Sequence, residues 1–158
     1  MRINDAVKTD MENSVLCWLA TVSERGVPNV TPKEIFAAHD DQTIVIADIA
    51  SSNSVGNIRA CPDVCVSFVD IFRQRGFKIS GKGMIVAPGE ARFGELCAPL
   101  AAKAGSAYPI RNVIAVAVGR IARIWAPSYS LAPGESEADK MHAAYAAYGV
   151  MPIDRSGS

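Results

Sequence analysis

Three places in the sequence combine residue types and spacings suited to chemistry. The densest is Ser51-Ser52-Asn53-Ser54, which runs on through Val55-Gly56-Asn57-Ile58-Arg59-Ala60 and stops at Cys61-Pro62. Hydroxyl and amide side chains at a helix start, beside N–H groups without intrahelical acceptors and the positive end of the helix dipole, make an anion site. The same residue types are the preferred N-caps, so capping and phosphate binding both account for them. The second place is Lys33-Glu34, inside Val30-Thr31-Pro32-Lys33-Glu34-Ile35. Two charges and a proline within a strand suit a solvent-facing edge or a bulge, or else Lys33 reaches an anionic ligand. The third is Arg73-Gln74-Arg75, a basic loop whose arginines are either solvated or grip a phosphate or a partner's carboxylate. Trp125, just before Ala126-Pro127-Ser128-Tyr129, suits core or interface packing more readily than a ring-stacking platform.

Other chemistries have little to build on. The cysteines Cys17, Cys61, Cys65 and Cys97 form no Cys-x-x-Cys pair, and the histidines are His39 and His142 alone. Neither a Cys/His metal site nor a Cys–His catalytic pair is supported, and no metal is expected. Free buried thiols in a reducing cytoplasm account for the cysteines. No Gly-x-Gly-x-x-Gly, phosphate-loop or Gly-x-Ser-x-Gly motif occurs, which removes the NTPase and serine-hydrolase classes.

These residues must be positioned by one small fold. At 158 residues the chain predicts a single domain spanning 1–158, able to bury about 70% of its unfolded surface. Sixteen Lys plus Arg against 16 Asp plus Glu argue against a nucleic-acid footprint. With 49% hydrophobic and 20% charged residues the chain is not disordered, and an apolar surface covered by a partner subunit is expected. The N-terminus carries acids and no apolar core, so no signal peptide is read. No apolar run reaches membrane-spanning length, and a cytoplasmic protein is expected.

Hydrophobic periodicity predicts a helix over Asp5 to Asn13 and strands over Val15 to Val22, Pro28 to Ala37 and Thr43 to Asp48. Ser23-Glu24-Arg25-Gly26 is the first turn, with Gly26 supplying a positive φ. After the Ser-rich short helix, strands are predicted over Val64 to Ile71, Gly76 to Val86 and Asn112 to Trp125. A helix with Phe93, Leu96, Cys97 and Leu100 on one face lies between the last two, with Pro99 expected to bend or shorten it. A last helix is predicted over Glu135 to Tyr148, and Arg155 to Ser158 read as a loose tail. Six strands with hairpin connections and no βαβ rhythm predict a mainly β fold: a closed or partly closed antiparallel barrel with short peripheral helices.

The order of segments adds a resemblance. Leu19-Ala20-Thr21-Val22, the Gly-Val-Pro turn, Val30-Thr31-Pro32-Lys33, Ile44 to Asp48, the Ser-rich helix start, Asn57 to Val64 and Ile79-Ser80-Gly81-Lys82-Gly83 follow one another over about residues 12 to 127. This set resembles the pyridoxamine 5'-phosphate oxidase-like family of FMN-binding split barrels, including its general-stress and small flavin-binding members. The resemblance implies a homodimer with FMN bound across the interface. It implies that Thr31, Pro32 and Lys33 line the flavin, that Ala47 and Asp48 approach its ring, and that Ser52, Asn53 and Ser54 hold its phosphate. Arg75, Gly76 and Phe77 would reach across from the other subunit, with Trp125 near the ring. One departure stands out: the family commonly has Arg or Lys where this chain has Asn53 and Ser54. The implied function is a flavin-dependent oxidoreductase of undefined substrate and redox partner, with no side chain assigned as catalytic. The alternative is a non-enzymatic flavin-binding, electron-transfer or stress-associated protein. Haem on the same barrel would need His39 or His142 as axial ligand, and a deazaflavin in place of FMN stays open.

Overall fold

Two residues decide the architecture. In the structure, a computed structural model that describes residues 2–105, 108–131 and 134–153, strand β2 (Pro28–Lys33) ends only Glu34-Ile35 before β3 (Phe36–Ala38) begins. Yet β2 and β3 are the opposite edges of one seven-stranded sheet, ordered β2-β1-β5-β6-β7-β4-β3. The other strands are β1 (Cys17–Val22), β4 (Thr43–Asp48), β5 (Asp63–Asp70), β6 (Arg75–Val86) and β7 (Asn112–Trp125). Laid flat, seven strands would hold their edges about 29 Å apart, whereas the steps from Lys33 to Phe36 reach at most about 11 Å. The sheet is therefore curled until its edges nearly meet, which is a split antiparallel barrel.

The expected fold class is borne out, with seven strands in place of six. The run read as one strand over Pro28 to Ala37 divides at Glu34-Ile35, because the chain crosses there from one edge to the other. β2 alternates up to Lys33, and β3 is only three residues long, too short to show a period of its own.

The barrel is filled from every strand but β2, Phe36 being the contribution of β3. Cys17 and Leu19, Ile44 and Ile46, Val64, Val66 and Phe68, Phe77 and Ile79, and Ile114 and Val116 form one buried cluster. Helix α1 (Asp5–Glu12) plugs one end of it with Val7 and Met11, and α2 (Ser52–Ala60) adds Ile58. Outside the barrel, α3 (Phe93–Ala104) lays Leu96 and Leu100 on Val45, Ala47, Val113 and Ala115. Each fully buried leucine contributes about 1.5–3 kcal/mol relative to exposure. That cover explains why β4 is buried on both faces and reads as a continuous apolar run rather than an alternating one. Pro99 lies within α3, which continues past it to Ala104.

Beyond the barrel, α4 (Ser128–Leu131) and α5 (Glu137–Tyr148) follow β7. Helix α5 opens with a capping box between Ser136 and Asp139 and packs Tyr145 on Phe72, ring centroids 4.8 Å apart. The tail expected over Arg155 to Ser158 lies outside the described residues. Among the described residues no helix is long and apolar enough to cross a membrane.

Candidate functional site

The curl brings the end of β2 against the start of α2, and the first cluster of expected residues forms there. Thr31, Pro32 and Lys33 of β2, Ala47 of β4 and Ser51 line a cleft of about 340 Å³, together with Glu34, Ile35, Ile49, Ala50 and Tyr108. Lys33 is buried, and its ammonium donates to the Ser51 hydroxyl. Burial pushes the Lys33 pKa below its usual 10.5, while the Asp48 carboxylate and Cys17 act against that shift. Asp48 is itself occupied: its carboxylate accepts from the Ser51 amide at 2.9 Å and from Asn112 Nδ2 at 2.6 Å. Asp48 therefore holds the turn into α2 and offsets part of the cost of burying the Lys33 charge.

Ser51 sits at the N-cap position of α2, yet no side chain caps that helix. The first-turn amides of Ser52, Asn53 and Ser54 are thus left for water or a ligand. Ser54 is buried, and its hydroxyl meets that of Thr31 at 3.3 Å, tying α2 to β2. Asn53 turns its amide to Asn29 Oδ1, 2.9 Å away. The Ala47 amide donates to the Ile35 carbonyl at 2.9 Å, which carries the β3–β4 pairing one residue beyond β3 at the side of the cleft. Cys17, opposite Lys33 in the β1–β2 register, is fully buried and its thiol is pushed up to about 12 by desolvation. It is a core side chain, not a nucleophile. The remaining three cysteines are free and only partly buried, because positions such as Cys65 face outward along β5.

The second expected group lies elsewhere on the same chain. Asn112, bonded to Asp48, and Trp125 are the two ends of the 14-residue β7, roughly 40 Å of extended chain apart. Arg75 pairs with Trp125 across β6 and β7. Its guanidinium is held by Asp10 of α1 at 3.1 Å and by Glu137 of α5. Asp10 is buried and also binds Arg123. Arg123 in turn stacks between Phe77, 4.2 Å from the ring centroid, and Trp125, at 4.4 Å. Phe77 is buried, and Trp125 stays 49% exposed beside Tyr129. Within one chain, Arg75, Gly76, Phe77 and Trp125 therefore cluster with one another and not with Lys33.

Several lining residues escaped the sequence. Tyr108 lies in the connection after α3, outside any motif, and only tertiary folding carries it to the cleft. Arg111 and Asn112, which line a neighbouring groove and not this cleft, are brought to the end of β4 by the Asp48–Asn112 pairing and by the bond from the Arg111 amide to the Asp48 carbonyl. Asp10, spaced with Val7 and Met11 on a buried helix face, offered the one readable signal: a carboxylate among core positions. Among the described residues no three metal-ligating side chains come together.

The fold and the cleft define a class: a split antiparallel barrel with a cleft lined by a lysine and hydroxyls at one edge. More particularly, the chain belongs to the pyridoxamine 5'-phosphate oxidase family, whose sequence profile matches residues 3–125. No curated protein matches the chain. Among solved structures, HupZ of Group A Streptococcus is similar at 25% identity and a TM-score of 0.64, over 75% of this chain and 91% of that one. An FMN-binding protein from Syntrophomonas wolfei superposes with a TM-score of 0.64 at 14% identity, over 76% of this chain and 84% of its own. HutZ, the heme storage protein of Vibrio cholerae, does so at 0.62 and 14%, covering 79% and 95%. At 14% identity these last two likenesses establish the fold alone.

Proposed function

We infer that the chain binds FMN in the cleft between β2, β4 and α2, and that it works as a flavin-dependent oxidoreductase. The observation that carries this reading is Lys33, a buried ammonium on the cleft floor whose hydrogen-bonding partner is the Ser51 hydroxyl. A lysine buried beside an uncapped helix start, among the hydroxyls of Thr31, Ser51 and Ser54, is a donor set that fits a phosphate monoester. The cleft's other walls, Ile35, Ala47 and Ile49, are apolar and suit a planar ring. When bound, the flavin supplies the redox chemistry. The residues of the chain bind, orient and shield it, which needs no general acid or base among them.

The site is completed across a homodimer. Arg75, Phe77 and Trp125 are too far along the sheet to serve the Lys33 cleft of their own chain, and Trp125 leaves about half of its ring surface exposed. Val30, Met84 and Trp18 are also exposed, the kind of apolar surface a partner subunit covers. A hollow of about 700 Å³ lies over β1, β5, β6 and β7 beside Cys65, Lys82 and Arg120.

A second reading, reversible flavin carriage without turnover, is favoured by Asn53. Its amide is committed to Asn29, so positive charge at this phosphate seat comes from Lys33. Haem is a poorer fit: His39 bonds Glu95 at 3.0 Å and His142 faces Tyr145, and neither lines the cleft.

The test is a visible absorption spectrum of the purified chain with and without FMN, followed by titration of the flavin fluorescence quench. Saturation near one FMN per chain, then bleaching by a hydride or electron donor, is the expected result. Binding without reduction by any donor selects the carrier reading, and the lack of any saturable binding removes both.

A further inference from the structure

Ser51 lines a second concavity besides the flavin cleft. A groove of about 260 Å³ runs between α2 and the ends of β4 and β7, lined by Ser51, Ser52, Val55, Gly56, Arg59, Asp48, Arg111 and Asn112. Ser52, Val55 and Arg59 share one face of α2 by their spacing, and Arg111 enters from the residue before β7. Two guanidiniums from different elements therefore line the same small groove.

What marks these two is that they share one groove and neither has a counterion in it. Arg73, Arg75 and Arg123 are each paired with Asp70, Asp10 or Glu137. Among the described residues neither Arg59 nor Arg111 meets a carboxylate. The acid in the groove, Asp48, already accepts from the Ser51 amide and from Asn112. Like charges in one concavity repel, and an anion bound between them relieves that repulsion while satisfying fork-shaped donors.

Resting on the flavin reading of the neighbouring cleft, we propose that this groove is a second anion seat and that the preferred ligand carries two adjacent phosphates, as a dinucleotide flavin does. One phosphate lies at Lys33 and Ser51, the next at Arg59 and Arg111. Ser51 is common to both walls, which places the seats side by side. FMN fills the first seat alone; a diphosphate fills both.

Calorimetric titration of the full chain with FMN, FAD and inorganic pyrophosphate tests this. FAD is expected to bind about tenfold or more tightly than FMN. Arg59→Gln and Arg111→Gln, both at exposed positions, should each lower FAD affinity by about tenfold and leave FMN within about twofold. Equal losses for FMN and FAD would assign the arginines to a single phosphate and overturn the two-seat proposal. Unchanged affinities would overturn it as well. The pyrophosphate arm separates the two possible failures. If no flavin binds but pyrophosphate does, and Arg111→Gln abolishes it, the seat stands and the flavin reading falls. If pyrophosphate also fails to bind, the seat falls.

Discussion

Lys33 is where stability and function oppose each other. Burying an ammonium costs free energy unless a partner offsets it, and here the folded pKa lies below the ordinary 10.5 because desolvation outweighs Asp48 and Cys17. Between the folded and unfolded pKa values the unfolded chain binds more protons. Stability of the unliganded protein therefore rises with pH through that window, up to 10.5. Phosphate binding runs the other way, weakening as Lys33 loses its proton. Lys33→Met should thus leave the unliganded protein as stable or more stable, by up to about 1 kcal/mol. The same change should lower FMN affinity about tenfold and remove its alkaline pH dependence. Thermal melts and flavin titrations across pH check this. A variant that melts lower and binds FMN normally would show Lys33 to be structural. The sequence placed Lys33 in a strand but left its direction open, since a lysine reads the same whether it faces solvent or a cleft.

The elements were legible where periodicity is local. Strands β4, β5, β6 and β7 and helices α1, α2 and α5 fall within about two residues of their expected bounds. Pairing across the sheet imposes constraints that periodicity does not show. A Cβ at Gly76 would sit 2.0 Å from the Phe68 carbonyl oxygen on β5, and a strand backbone cannot yield by that much without losing its ladder. Gly76→Ala should cost about 3 kcal/mol or more. It should appear as a depressed urea midpoint or as insoluble protein. Gly56→Ala is the control, because nothing lies within 4 Å of its added Cβ. It should be neutral or stabilising, since alanine favours the helix. Equal behaviour of the two variants would mean that β5 and β6 are not paired in this register.

At the scale of the molecule, the separation of two half-sites makes a quantitative expectation. Light scattering should give about twice the 16.8 kDa chain mass. Lys33→Met and Trp125→Ala damage opposite halves, so each homodimer alone should bind FMN poorly. Mixed one to one after unfolding and refolding, half of the dimers are heterodimers and each rebuilds one site. About a quarter of the wild-type FMN capacity should then return. Failure to recover any capacity in a confirmed heterodimer would mean that each site takes its Lys33 and its Trp125 from the same chain.

The sequence by itself determined the mainly β class, most element positions, the family and the Ser-rich helix start, because alternation, turn residues and ordered motifs are local properties of a chain. It did not determine the seventh strand, since the break at Glu34-Ile35 follows from where the sheet closes and not from a change in pattern. Tertiary structure alone decided that Lys33 faces Ser51, that Asp48 holds the turn into α2, and that Arg75 is engaged by Asp10 and Glu137. It also decided that Arg59 and Arg111, 52 positions apart in sequence, share one groove. The physical reason is common to the three that join distant residues, whereas the Asp48–Ser51 bond spans only three residues. Charge pairing and cavity lining depend on distances across the curled sheet, and those distances exist only once the edges have been brought together.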